Sequence, residues 1–192
     1  MEWVAIDFET ATGRRDSACA LGVVRVVDGA IVEERSWLMR PPGNEYTWFT
    51  MAIHGIAPED TEDAPAFEEL YEEIEPYLSD ALLVAHNAPF DMSVLRSCLQ
   101  SAALPPLRSW YVCTLALSRA CFDDMERHTL PDVAGRCGLL LDRHHDATCD
   151  ARAAAQIAIY LTRRKGQPDP VALAEHMGVR VGTLAPPGEG SR

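Results

Sequence analysis

The sequence contains no run approaching the roughly 20 apolar residues a bilayer span requires, no internal repeat, no C-x-x-C pair, and little positive charge for its size. The first absence argues against a membrane partner. Met1-Glu2-Trp3-Val4 also runs directly into strand-like sequence without a basic leader, so a soluble, cytoplasmic protein is predicted. The scattered spacing of Cys19, Cys98, Cys113, Cys121, Cys137 and Cys149 argues against a zinc site and against a redox motif, leaving reduced and mostly buried thiols. Of these only Cys149, four residues after His145, has the spacing a thiol nucleophile beside a histidine would need.

With 17 Lys and Arg against 29 Asp and Glu, the net charge of −12 excludes a broadly basic surface as the means of gripping phosphate. Much of the acid lies between residues 59 and 75, where Glu68, Glu69, Glu72, Glu73 and Glu75 read as the solvated face of a helix. Carboxylates that hold divalent cations are neutralised locally, so a phosphodiester can be held through metal rather than through lysine.

What is present is enough for one sizeable core: 192 residues, 47 % of them hydrophobic, favour a single domain. Residues 3–8, 20–27 and 30–39 are apolar runs of strand length, the last two joined by the hairpin signal Asp28-Gly29. Phe67, Leu70, Tyr71, Ile74, Tyr77 and Leu78 then recur at helical spacing, with a start expected at Asp63 and a kink or shortened last turn at Pro76. Residues 81–85 read as a buried strand, a helix follows Pro89, and residues 110–113 make a fifth strand. Helical patterns cover 114–122, 130–137 and 146–164. Three strands in a meander followed by alternating helix and strand predict an α/β architecture with a mixed sheet. Residues 166–192 read as an extension with one short helix over 171–177 and disorder after Thr183.

Three clusters carry chemistry. Asp7 and Glu9, two apart on one strand, leave the same face, and two like charges closing an apolar strand call for a divalent cation between them unless both are simply solvated. Asp91, in His86-Asn87-Ala88-Pro89-Phe90-Asp91, falls in the first turn of a helix, where an acid also suits the macrodipole. His145 and Asp150 straddle a further helix start that Asp146 can cap.

In order and type, Asp7-Phe8-Glu9-Thr10, Ile53-His54-Gly55-Ile56, the segment from His86 to Asp91, and the spacing from His145 to Asp150 resemble the histidine branch of the DEDD exonuclease superfamily, including the proofreading epsilon subunits of bacterial DNA polymerase III and related stand-alone exonucleases. The likeness runs from about residue 3 to residue 164. It implies a ribonuclease H-like fold over residues 1–165, with three antiparallel strands followed by two parallel ones. It implies that Asp7, Glu9, Asp91 and Asp150 hold two divalent ions, Mg2+ or Mn2+, and it selects His145 over His144 as general base. Thr10, His54, Asn87 and Phe90 are implied to line the groove for the terminal nucleotide, with His54 and Phe90 near base or sugar.

The implied reaction is removal of nucleoside 5′-monophosphates from a 3′ end, DNA ahead of RNA, in proofreading or repair, with a DNA polymerase as a candidate partner. An RNA-trimming enzyme and a non-catalytic binding module are the alternatives. Two departures stand out: Asp146 adds a negative charge beside His145, and the stretch after Lys165 has no recognisable clamp- or polymerase-binding motif.

Overall fold

Alternation along the strands decides which helices cover which face. On β1 (Glu2–Thr10), Val4, Ile6 and Phe8 point to one side while Trp3 and Ala5 point to the other. β2 (Ala18–Val27) pairs antiparallel with β1, and β3 (Ala30–Leu38) pairs antiparallel with β2 through a turn in which Asp28 and Gly29 both take positive φ. Those two left-handed residues match the twist of the flanking strands, which is why this dipeptide makes a hairpin.

The chain then forms two short helices, α1 (Trp48–His54) and α2 (Pro58–Thr61), followed by α3 (Phe67–Leu78). Neither short helix was anticipated, and the reason is physical: at seven and four residues they are too short for a helical period to show in the sequence, and the apolar residues of α1 face outward rather than into a core. α3 begins after Ala66, not at Asp63, because the Glu69 carboxylate accepts from the Ala66 N–H and closes the helix start there. Pro76 lies in its last turn.

β4 (Leu82–Ala85) runs parallel to β1, and β5 (Trp110–Cys113) parallel to β4. Between and after them come α4 (Pro89–Ser101), α5 (Thr114–Cys121), α6 (Leu130–Arg136), α7 (Ala147–Arg164) and α8 (Pro170–His176). The computed structural model describes residues 1–184. The expected five strands become six: β6 (Gly182–Thr183) adds antiparallel to β5, giving the order β3-β2-β1-β4-β5-β6. Two residues show no alternation to read, and Gly182 is suited to the place because the Tyr111 ring fills the space a side chain would take. The disorder expected after Thr183 concerns residues that, beyond Leu184, lie outside the described ones.

Two cores result. α3 and α4 pack Ile74, Leu78, Met92 and Leu95 onto Val4, Ile6 and Phe8. On the opposite face α5 to α8 pack Leu117, Val133, Ile157, Leu161 and Leu173 onto Trp3, Ala5, Val24 and Val84. All six cysteines are free thiols, four of them buried. No helix among the described residues is long and apolar enough to cross a membrane.

Candidate active site

β1 runs parallel to β4 and continues past its end, carrying Asp7 and Glu9 to the carboxyl edge of the sheet, where ligands of open α/β sheets bind. Asp7 and Glu9 continue the Trp3, Ala5 face of β1 toward α7, and the register shifts between Glu9 and Thr10, where a bulge ends regular pairing. α7 delivers Asp150 from that same face. Its first turn lies against Gly22, the residue of β2 paired with Asp7, and a side chain at Gly22 would collide with the Ala147 carbonyl. α4 approaches from the other face and inserts Asp91, whose Oδ1 accepts from the Phe8 N–H at 3.0 Å. The end of β1 is thus held between acids arriving from both layers.

One carboxylate oxygen each from Asp7, Glu9 and Asp150 lies within 4.8 Å of the others. Asp91 is not part of that group of three but is anchored to the backbone between Asp7 and Glu9, near enough for its charge to act on both. Glu9 is 9 % exposed, Asp91 1 % and Asp150 4 %. Burial pushes Asp7 well above the usual carboxylate range, and the charges of Asp91, Glu9 and Asp150 push it further. Burial and the neighbouring Asp150 lift Glu9 to about 8. Burial lifts Asp91 to about 7 although the Phe8 N–H favours its charged form.

Four acids crowded in this way are costly without positive charge. Asp150 Oδ1 is buried with no hydrogen-bond partner among the described residues. An all-oxygen donor set with an unsatisfied lone pair fits hard divalent cations such as Mg2+ and Mn2+.

Two histidines stand over the acids. The His144 Nδ1 donates to Asp150 Oδ2 at 2.8 Å, and the His145 backbone N–H donates to the same oxygen at 3.0 Å. Their rings are stacked, with centroids 3.7 Å apart. His145 has φ of 68°, a left-handed conformation histidine tolerates better than most residues, and it turns the chain into α7. Its ring makes no hydrogen bond among the described residues, whereas that of His144 is engaged with Asp150. Burial, then the His144 charge, lowers the His145 pKa. Asp146, the charged departure noted above, is committed elsewhere: its Oδ1 accepts from the Cys149 N–H at 3.0 Å to cap α7, and its other oxygen pairs with Arg143 at 3.1 Å. Cys149 is buried, and burial and the neighbouring Asp146 carboxylate raise its pKa, which disfavours the thiolate a nucleophile needs.

Asp7, Glu9, Asp150 and the two histidines border a cleft of about 920 Å³ that Thr10, His54, Asn87 and Phe90 also line, with Asp91 buried behind it. The His54 Nδ1 accepts from the Ile56 N–H at 3.0 Å, so its Nε2 carries the hydrogen and donates to the Thr10 carbonyl at 3.3 Å. Both polar edges are therefore used internally, and only the ring face is left for a ligand. Gly55, left-handed after α1, fixes that geometry. Asn87 is exposed with φ of 68° at the junction of β4 and α4.

His86, quoted in the same sequence cluster, turns inward instead. It bonds Thr114 at 2.9 Å and the His128 carbonyl at 3.0 Å, and burial takes its pKa down to about 4. It fastens the segment before α6 to the cleft wall as a neutral imidazole.

Sequence reasoning missed the positive side of the cleft. Arg15 lies over the Phe90 ring at 4.4 Å, and Arg119 and Arg127 also border the cleft. Three arginines from three separate segments form no cluster in sequence, so no local signal identifies them.

Against known proteins, the model of the exonuclease family RNase_T matches residues 4–158. The chain is 35 % identical over 158 residues to the DNA polymerase III PolC-type of Thermotoga petrophila and 27 % identical over 157 residues to that of Streptococcus suis, in each case 81 % of this chain and 11 % of the relative. It thus spans about a tenth of the length of these curated relatives. Among solved structures it is similar to exonuclease X in complex with 5′ overhanging duplex DNA, at 27 % identity and a TM-score of 0.74 over 92 % of this chain and 99 % of that one. E. coli exonuclease I in a complex with single-stranded DNA shares the fold, with a TM-score of 0.73 at 15 % identity over 86 % of this chain and 41 % of that one.

Proposed function

Since this chain belongs to the RNase_T exonuclease family, within the DEDD superfamily of 3′-to-5′ exonucleases, we propose that it is a metal-dependent enzyme that trims single-stranded or frayed 3′ ends of DNA to nucleoside 5′-monophosphates. The observation that carries this reading is the convergence of Asp7, Glu9 and Asp150 within 4.8 Å, with Asp91 bonded to the backbone between the first two. Such a set has one economical use, which is to hold cations against a phosphodiester.

Asp7, Glu9, Asp91 and Asp150 are the residues that would hold two divalent ions. When bound, the ions supply Lewis acidity at the scissile phosphate and offset the charge of the acids. His145 is the general base. Its lowered pKa keeps the imidazole neutral near pH 7, and a ring free of internal hydrogen bonds can accept the proton of the attacking water. His144 and the His145 backbone N–H orient Asp150 by donating to the same oxygen. Thr10, Asn87 and the ring faces of His54 and Phe90 receive the terminal nucleotide, and Arg15, Arg119 and Arg127 face its phosphates.

DNA is proposed ahead of RNA because the relatives named above are DNA polymerase III PolC-type proteins and an exonuclease seen in complex with DNA. The PolC likeness supports a proofreading or repair setting with a polymerase as partner. The test is digestion of 5′-labelled single-stranded DNA, duplex DNA and RNA with Mg2+, Mn2+ or chelator. Stepwise shortening from the 3′ end, absent with chelator and faster on DNA, is expected. Cuts in a circular substrate, or release from the 5′ end, would refute the assignment.

A further inference from the structure

Large apolar side chains are conspicuously exposed on one short element beside the cleft. α1 leaves Trp48 76 % exposed, Phe49 59 % and Ile53 38 %. None of the side chains of this helix is fully buried. It is fastened by polar bonds instead: Thr50 Oγ1 and the Thr47 N–H both donate to the Ala11 carbonyl, at 2.5 and 3.0 Å, and Thr47 Oγ1 caps the helix by accepting from the Thr50 N–H. Ala11 immediately follows β1, so the aromatic residues are carried on a mount fixed to the strand that bears Asp7 and Glu9.

Phe49 and Ile53 line the same cleft as those acids. The Trp48 ring stands edge-on to Phe49, with centroids 6.0 Å apart and planes at 89°, and extends the aromatic surface beyond the rim. Exposed aromatic rings beside a groove bearing arginines are the arrangement that binds unpaired nucleotides, because every base offers a π-face whatever its sequence.

We propose that Trp48 and Phe49 form a stacking platform for the unpaired bases immediately 5′ of the terminal nucleotide. The inference rests on the exonuclease reading of the cleft and deepens it by assigning the single-strand requirement to α1. In a duplex both faces of each base are covered by neighbours, so the platform is filled only when about two to three terminal nucleotides are unpaired. Continuity with the acid-lined cleft, and the arginines along that cleft, favour a nucleic-acid strand over a protein as the occupant.

The test is kcat/KM for first-nucleotide release from a 5′-labelled single-stranded oligonucleotide, and from the same strand with abasic sites at the second and third positions from its 3′ end. On the intact strand Trp48→Ala and Phe49→Ala should each lose about 5- to 100-fold, chiefly through KM. Trp48→Phe should recover most of that loss. On the abasic strand the same variants should differ from the parent enzyme by less than about 2-fold, because the partner of the ring is gone. Equal losses on both strands, or no loss on either, would overturn the proposal. So would unchanged kinetics combined with conversion of a dimer to a monomer by Trp48→Ala, which would assign the patch to a second copy of the chain. Failure of the parent enzyme to degrade any strand would instead sink the nuclease reading itself.

Discussion

Replacing Gly22 by alanine tests the assembly of the acids without touching any of them. Gly22 pairs with Asp7 across β1 and β2 and faces the start of α7. A Cβ there would stand 2.5 Å from the Thr148 nitrogen and closer still to the Ala147 carbonyl, all of it backbone with no rotamer to yield. Ordinary van der Waals contact begins near 3.5 Å, so the first turn of α7 must retreat by about 1 Å. Asp150 sits in that turn and moves with it, out of the 4.8 Å cluster with Asp7 and Glu9. Metal ligands tolerate only about 0.2 Å of error, and a misplacement of about 1 Å costs on the order of 100-fold in rate. Overpacking of this kind destabilises by about 1–3 kcal/mol, or roughly 2–12 °C in Tm for a chain of this size. The assay is mononucleotide release with Mn2+ beside a thermal melt and a circular dichroism spectrum. The expected result is a folded protein with activity near that of Asp150→Ala. A Gly22→Ala enzyme with kcat/KM within about 3-fold of the parent would refute the claim that this close approach positions Asp150.

Four further outcomes are expected. His145→Ala should lower kcat by about 10² to 10⁴ while the melt is unchanged, and His144→Ala should cost far less, because its ring orients Asp150 rather than receiving the water's proton; equal losses would reassign the base. Asp7→Ala should abolish mononucleotide release in Mg2+ and in Mn2+, as chelator does for the parent enzyme. In chelator the folded protein should lose stability as pH rises. Glu9 and Asp91, lifted from ordinary values near 4.5 and 3.8 to about 8 and about 7, hold protons that the unfolded chain has already released. Their contribution is therefore complete below about pH 4 and lost progressively toward pH 8, and Mg2+ or Mn2+ should restore Tm more at pH 8 than at pH 5; a metal-free Tm that rises across this range would contradict it. Glu9→Gln, which removes one repelling charge, should raise Tm in chelator at pH 8 by roughly 2–4 °C for each kcal/mol relieved while reducing activity.

Much of the fold was legible because it depends on local patterns. The apolar runs of β1 to β3, the Asp28-Gly29 turn, the apolar stripe of α3 and the capping aspartate of α7 are statements about neighbouring residues, and the structure agrees with each of them. What escaped had no such signature. α1 is held by threonine hydroxyls bonded to a distant carbonyl, β6 is two residues long, and the start of α3 was decided by a reciprocal bond between Ala66 and Glu69 rather than by the more conspicuous Asp63. The site divides in the same way: the acids and His145 stand in short readable clusters, whereas Arg15, Arg119 and Arg127 reach the cleft from segments about a hundred residues apart at the extremes.

The sequence by itself determined that Asp7 and Glu9 leave one face of a strand and that Asp91 and Asp150 each open a helix, since periodicity and capping are properties of the chain alone. Only the tertiary structure decided that these helices meet the same strand end from opposite layers, through the Phe8 N–H on one side and the bare backbone of Gly22 on the other. The same is true of the raised pKa values and the orphaned Asp150 oxygen. Burial and mutual charge exist only once the layers have closed, so no reading of neighbours along the chain contains them.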